Sequence, residues 1–147
     1  MKPFHLTAFV CSLSLLIAAP TLSQDAKPVP HGPKPPLAKN VKNVNVEEFD
    51  KLRAATNSVV LDVRTKKEFD AGHIPGAINL DVNSPDFQEK AAKLDKSKTY
   101  LVHCAAGVRS ARACNVLDKI ALTNVVNLDP GLNAWIKAGK PVEKPNN

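Results

Sequence analysis

The chain is poor in the residue types that several specialised classes of protein depend on. Its 147 residues include three cysteines, one tryptophan and one tyrosine, and aromatic residues make up 5% of the whole. A nucleic-acid surface needs a concentrated basic face, usually with stacking side chains. Here the basic residues are scattered, from Lys34, Lys39, Lys42 and Lys51 through Lys66 and Lys67 to Lys90, Lys93, Lys96 and Lys98, and the net charge is a modest +6. That excludes a nucleic-acid partner and leaves a mild attraction for small anions. No cysteines and histidines stand at zinc-ligand spacing, so His103 beside Cys104 has no companions with which to hold a metal. There is no internal repeat. The longest uncharged apolar run, residues 6–19, is too short to span a bilayer comfortably.

That run, with Leu13, Leu15, Leu16 and Ile17, follows the basic start Met1-Lys2-Pro3-Phe4-His5. A short basic stretch before an apolar one is the layout of a secretory signal peptide, assigned to residues 1–23 with cleavage at Thr21-Leu22-Ser23. The mature protein is expected to be exported, periplasmic or secreted, with no stable membrane insertion after cleavage. Residues 24–40 hold Pro28, Pro30, Pro33, Pro35 and Pro36, which favour extended chain and cannot donate backbone hydrogen bonds. This segment is expected to be a semi-rigid linker outside the core. A domain is expected over residues 41–147; 44% hydrophobic and 23% charged residues suit a globular core.

Within the domain, hydrophobic patterning alternates between strand and helix periods. Val41 and Val44 suggest a first strand, and Asn45-Val46-Glu47-Glu48 opens a helix with Val46, Phe49 and Leu52 inward. Residues 58–63 form a β-branched apolar run that reads as a buried strand. Thr65 can cap a brief helix over residues 66–71, and Gly72-His73-Ile74-Pro75-Gly76 turns into a third strand over residues 77–80, His73 serving the turn. Ser84-Pro85 starts a helix with Phe87, Ala91 and Leu94 on one face. Residues 99–102 form a fourth strand, followed by the Cys104 loop and a helix. Residues 125–128 form a fifth strand, leading to a last helix carrying Leu132, Trp135 and Ile136. The expected fold is α/β, a five-stranded mostly parallel sheet flanked by helices on both faces.

With Cys11 in the signal segment, Cys104 and Cys114 remain. If the helix after Cys104 begins near Val108, Cys114 stands about 9 to 10 Å along its axis, beyond the ~7 Å limit for bridged Cα atoms. Cys114, beside the stripe Ala113, Val116, Leu117 and Ile120, reads as a small core residue, and Cys104 as a free thiol. Cys104 stands just past a buried strand and before a helix, where open α/β sheets bind ligands. Gly107 allows positive φ, and the amides of such a turn cradle an anion: a thiolate, a persulfide or an incoming oxyanion. Arg109 adds a fixed cation with fork geometry.

Cys104-Ala105-Ala106-Gly107-Val108-Arg109-Ser110 resembles the rhodanese active-site pattern C-x-x-G-x-R-S. Leu61-Asp62-Val63-Arg64 with Glu68-Phe69, and Gly72-His73-Ile74-Pro75-Gly76-Ala77-Ile78-Asn79, agree in order and spacing, so the resemblance spans about residues 41–142. It implies a sulfurtransferase of the thiosulfate type, with Cys104 as nucleophile and sulfur carrier and Ala105, Ala106, Gly107, Val108 and Arg109 as the cradle. Arg109 is also expected to steady the sulfonate end of a donor. Asp62, Arg64 and Glu68 are expected to organise the loop, Glu68 pairing with Arg64, and Trp135 follows Pro130-Gly131 where the family usually has two glycines. No cofactor or metal is implied. The partners would be a small anionic sulfur donor and a thiol or cyanide acceptor; no protein partner is identified. The phosphatases and arsenate reductases that share this fold have C-x5-R loops, and here Arg109 comes after only four intervening residues. The Ala105-Ala106 pair lacks the basic and hydroxyl groups of many sulfurtransferase loops, which leaves a non-catalytic sulfur-carrier or interaction module as the alternative.

Overall fold

Five short segments rich in β-branched and aliphatic residues pair edge to edge in the computed structural model, which describes residues 32–145. The export signal expected at residues 1–23 and the start of the linker lie outside the described residues. The strands are β1 Lys42–Val44, β2 Ser58–Asp62, β3 Ile78–Asn79, β4 Thr99–His103 and β5 Val125–Leu128. Their order in the sheet is β1-β5-β4-β2-β3, and every pairing is parallel. Parallel neighbours need crossovers, and the helices α1 Val46–Arg53, α2 Lys66–Ala71, α3 Phe87–Ala92, α4 Val108–Lys119 and α5 Leu132–Lys137 lie in those connections and after β5.

Strand alternation divides the apolar residues between two faces. Leu61, Tyr100 and Val102 face α3 and α4, packing with Phe87, Ala91, Ala113, Cys114 and Leu117. Val60 and Leu101 face α1 and α5, packing with Val46, Phe49, Leu132 and Trp135. Both faces of β2 and β4 are therefore covered, which explains why these strands read as continuous apolar runs. The α/β class and the sheet are as the patterning indicated.

Local chemistry sets the helix starts. Asn45 Oδ1 accepts from Glu48 N at 2.9 Å at the head of α1, while the Glu48 carboxylate turns to Lys42 instead of back to Asn45. Thr65 and Glu68 form a full capping box on α2. The helix expected at Ser84-Pro85 begins only at Phe87, because residues 84–87 close a turn first, with Phe87 N donating to Ser84 O. The third strand shrinks to two residues at the sheet edge. On the six-residue α5, Trp135 faces the core and Ile136, about 100° around the helix, is 52% exposed.

The linker also departs from expectation. Leu37 and Ala38 pack against the core on the α4 face, so the last part of the proline-rich segment belongs to the folded unit.

Candidate active site

The five strands all run toward the same edge of the sheet, and β4, in its middle, delivers Cys104 there one residue past His103. Alternation places Cys104, 1% exposed as a residue, on the α4 face and His103 on the other. The chain then turns through residues 104–107 into α4. Gly107 has φ +90°, a left-handed conformation that lets the turn close without a Cβ, and its N–H donates to Cys104 Sγ at 3.1 Å. The sulfur thus sits at the head of a twelve-residue helix, where unpaired amides and the helix dipole both favour negative charge. Ala106 is exposed at the loop's tip and Ala105 half-buried. Among residues 105–109, only the Gly107 amide already bonds the sulfur.

The start of α5 holds this loop from beneath. Leu132 N donates to Cys104 O at 2.8 Å and Asn133 N to Ala105 O at 3.0 Å. The contact is close: a Cβ on Gly131, whose φ is +86°, would lie 2.8 Å from Cys104 O and from the Ala105 carbonyl. Glycine at 131 is what lets the two loops touch. Asp129 completes the floor, its Oδ1 lying 2.8 Å from where a Gly107 Cβ would stand.

Two ion pairs organise the surroundings, and they are paired differently from expectation. Arg109 Nη1 and Nη2 donate to Glu68 Oε2 and Oε1, both at 2.7 Å. Arg64 instead engages Asp62, with Nη2 on Oδ2 at 2.6 Å and Nε on both oxygens at 3.0 Å. The predicted Glu68–Arg64 pair is therefore corrected to Glu68–Arg109 and Asp62–Arg64. The reason is topological: Asp62 ends β2 and faces the α1/α5 side, so Arg64 reaches it two residues away, with a second bond to Gly72 O at 2.8 Å. The capped α2 carries Glu68 to the mouth of the Cys104 loop. Arg109's fork is accordingly engaged by Glu68 rather than turned to an incoming anion, and its Nε is buried with no hydrogen-bond partner. Hydrogen bonding from Arg109, with Thr65 assisting, holds the Glu68 carboxyl down at about 2, from 4.5, and Glu68 in turn raises the guanidinium. The pair stays charged through the physiological range.

His103 is fully buried against Phe49, ring edge to face at 6.3 Å. Burial pushes its pKa down, so it is neutral at neutral pH. Its Nδ1 lies 3.3 Å from Cys104 O. It packs on the face opposite Sγ and is placed to orient the strand end, not to exchange a proton with the sulfur. His73 is buried, stacked on Phe69 at 3.7 Å and bonded to Phe69 O through Nδ1 at 2.9 Å. Trp135 is not at the pocket. It fills the α1/α5 core, its Nε1 donating to Pro141 O at 2.8 Å, and serves the site only by anchoring α5. Cys114, 0% exposed, is a second free thiol that burial pushes up to about 12.

The structure thus brings Cys104, residues 105–109 and Glu68 together, sets Asp62 and Arg64 behind them, and leaves Trp135 in the core. Residue-by-residue reasoning missed Asp129 and the backbone of Leu132 and Asn133. Gly131 was the available signal, since a glycine just ahead of a helix can take positive φ and permits close backbone approach. A buried thiol with an amide on its sulfur, at a helix start and behind a loop open to solvent, can form a covalent bond to a small electrophile and stabilise the charge left on the adduct.

Residues 45–138 match the rhodanese-like domain family. A putative sulfurtransferase, YtwF of Bacillus subtilis, is 35% identical over 92 residues, covering 63% of this chain and 86% of that one. A sulfurtransferase of Allochromatium vinosum is 30% identical over 106 residues, covering 71% of this chain and 97% of its own. A rhodanese-related protein of Thermoplasma volcanium has a crystal structure similar to this one, with a TM-score of 0.63 and 32% identity across 69% of this chain and 97% of that one. Since the match runs from the first helix to the last and the similarity extends to sequence as well as backbone, the chain belongs to the rhodanese-like domain family.

Proposed function

We propose that the protein is a sulfurtransferase in which Cys104 carries a sulfane sulfur, as a persulfide, from a small anionic donor such as thiosulfate to a thiol or cyanide acceptor. The observation that carries this is the seat of Sγ: buried, bonded by the Gly107 amide, and enclosed by a loop only four residues long between Cys104 and Arg109. A turn of that size suits one extra sulfur atom; a phosphoryl group with several oxygens needs a wider one.

In the first half-reaction the Cys104 thiolate attacks the outer sulfur of thiosulfate. The new Sγ–S bond forms as the S–S bond of the donor breaks, and the bonding pair leaves with sulfite. The persulfide keeps one negative charge, lying where the amides of residues 105–109 and the α4 terminus favour it. In the second, cyanide attacks the terminal sulfur and leaves as thiocyanate, returning the thiolate; a thiol acceptor would carry the sulfur off as its own persulfide. Glu68 and Arg109 act as a fixed rim for the loop, with Arg109 Nε as the unengaged donor.

The test is to incubate the protein with thiosulfate and weigh it intact. A gain of one sulfur atom on Cys104, lost on cyanide addition with release of thiocyanate and absent in Cys104→Ala, is the expected result. An adduct that never turns over would make the protein a sulfur carrier, and no adduct from thiosulfate or an organic persulfide would overturn the proposal.

A further inference from the structure

The described part of the proline-rich arm reaches the Cys104 loop at Lys34. From residue 40 back to residue 34 it runs along α4 against the helix direction. Asn40 Nδ2 donates to Asp118 Oδ1 at 3.2 Å, Ala38 N donates to Asn115 Oδ1 at 2.7 Å, and Asn115 Nδ2 donates to Pro36 O at 2.8 Å. Lys34 then reaches Asp129, and its Nζ is 3.8 Å from where a Gly107 Cβ would stand. The lengths agree: six steps of extended proline-rich chain cover about 19 Å, and the helix from Asp118 back to Gly107 about 16 Å. Leu37 and Ala38 fix the arm by packing on the α4 core.

Asp129 poses an electrostatic problem that the arm answers. Its carboxylate lies against the residue whose amide holds Sγ, in a site whose sulfur, persulfide and donor would all be negative. Like charge beside the loop weighs most on the doubly charged donor, which must approach past the rim, and least on the sulfur that the Gly107 amide already holds. Arg109 is already engaged by Glu68, and Ala105 and Ala106 carry no charge. Lys34 is the cation that neutralises Asp129, and with both side chains about one-third exposed, 32% and 33%, the pair stands at the rim where a donor would pass.

We propose that residues 36–40 strap the arm to α4 so that Lys34 stands at the rim of the Cys104 site, and that Lys34, by screening Asp129, is a specificity-determining residue for small anionic sulfur donors. This rests on the sulfurtransferase reading above. Lys34 is a positioning residue in electrostatic terms; it takes no part in bond making.

The test uses the full chain and compares thiosulfate with an uncharged organic polysulfide, a dialkyl trisulfide, reading by intact mass the rate and extent of adduct formation on Cys104: one sulfur atom from thiosulfate as sulfite leaves, and a mixed trisulfide from the polysulfide as an alkanethiolate leaves. Lys34→Gln should raise the donor concentration needed for half-maximal rate about 3- to 10-fold for thiosulfate, with the maximal rate and the polysulfide reaction little changed; a rim charge acts on that scale. Raising the ionic strength to about 1 M should shrink the difference. Lys34→Arg should behave as the parent, and adding Asp129→Asn to Lys34→Gln should restore thiosulfate use. Equal loss for both donors, or a double variant no better than the single, would overturn the proposal. A parent protein that accepts sulfur from neither donor would instead overturn the sulfurtransferase reading.

Discussion

The two cysteines among the described residues are almost equally buried, 1% exposed at Cys104 and 0% at Cys114, and both are unpaired thiols of the same core face. Burial therefore does not separate them. Cys114 lies mid-helix among apolar side chains, its thiol pushed up to about 12, and at neutral pH it is a neutral packing residue. Cys104 lies before the same helix, with an amide on its sulfur and a loop tip open to solvent next door. A thiol's chemistry follows from the backbone donors around it, and these exist at a helix start and not at its middle, where every N–H already serves a carbonyl.

Beyond removal of the Cys104 thiol itself, the comparison breaks most readily at Gly131. Gly131→Ala places a methyl 2.8 Å from two loop carbonyls at a positive φ. It should cost about 2 kcal/mol or more of stability, read as a lower denaturation midpoint, and should depress sulfur-adduct formation by loosening the loop that distinguishes Cys104 from Cys114.

A smaller effect is expected at the rim. Glu68 has its carboxyl pKa depressed to about 2 when folded, so its pairing stabilises the fold fully above the unfolded value near 4.5, and this contribution is lost as pH falls from about 4.5 toward 2. Glu68→Gln should remove that part of the acid dependence, seen as a flatter plot of melting temperature against pH over this range. At neutral pH it should cost under about 1 kcal/mol, since the Glu68 side chain is 36% exposed.

The smallest effect on the sulfur chemistry should come from Cys114→Ala. It deletes one buried sulfur, costing about 1 kcal/mol in the unfolding midpoint, while the Cys104 adduct forms as before. Loss of the adduct in this variant would erase the distinction between the two thiols.

Much of the site was legible in the chain because it is local. The Thr65 cap, the glycine at 107, the helix start at Val108 and the distance of Cys114 from the loop all follow from neighbours within a turn or so. Charge pairing was not legible in the same way. The expectation paired Glu68 with nearby Arg64, and the structure gives Glu68 to Arg109 instead, 41 residues away, because β2 and β4 are adjacent in the sheet and put α2 over the Cys104 loop.

By itself, then, the sequence determined the α/β alternation, the seat of Cys104 between strand and helix, and the length of the loop around it, since each is a matter of periodicity and turn chemistry over a few residues. Only the tertiary structure decided that Glu68 holds Arg109, that Gly131 lies under the thiol's carbonyl, and that the proline-rich arm brings Lys34 to the loop. Those contacts join segments tens of residues apart, and which segments meet is set by the order in which parallel strands pack, β1-β5-β4-β2-β3, and not by any local pattern in the chain.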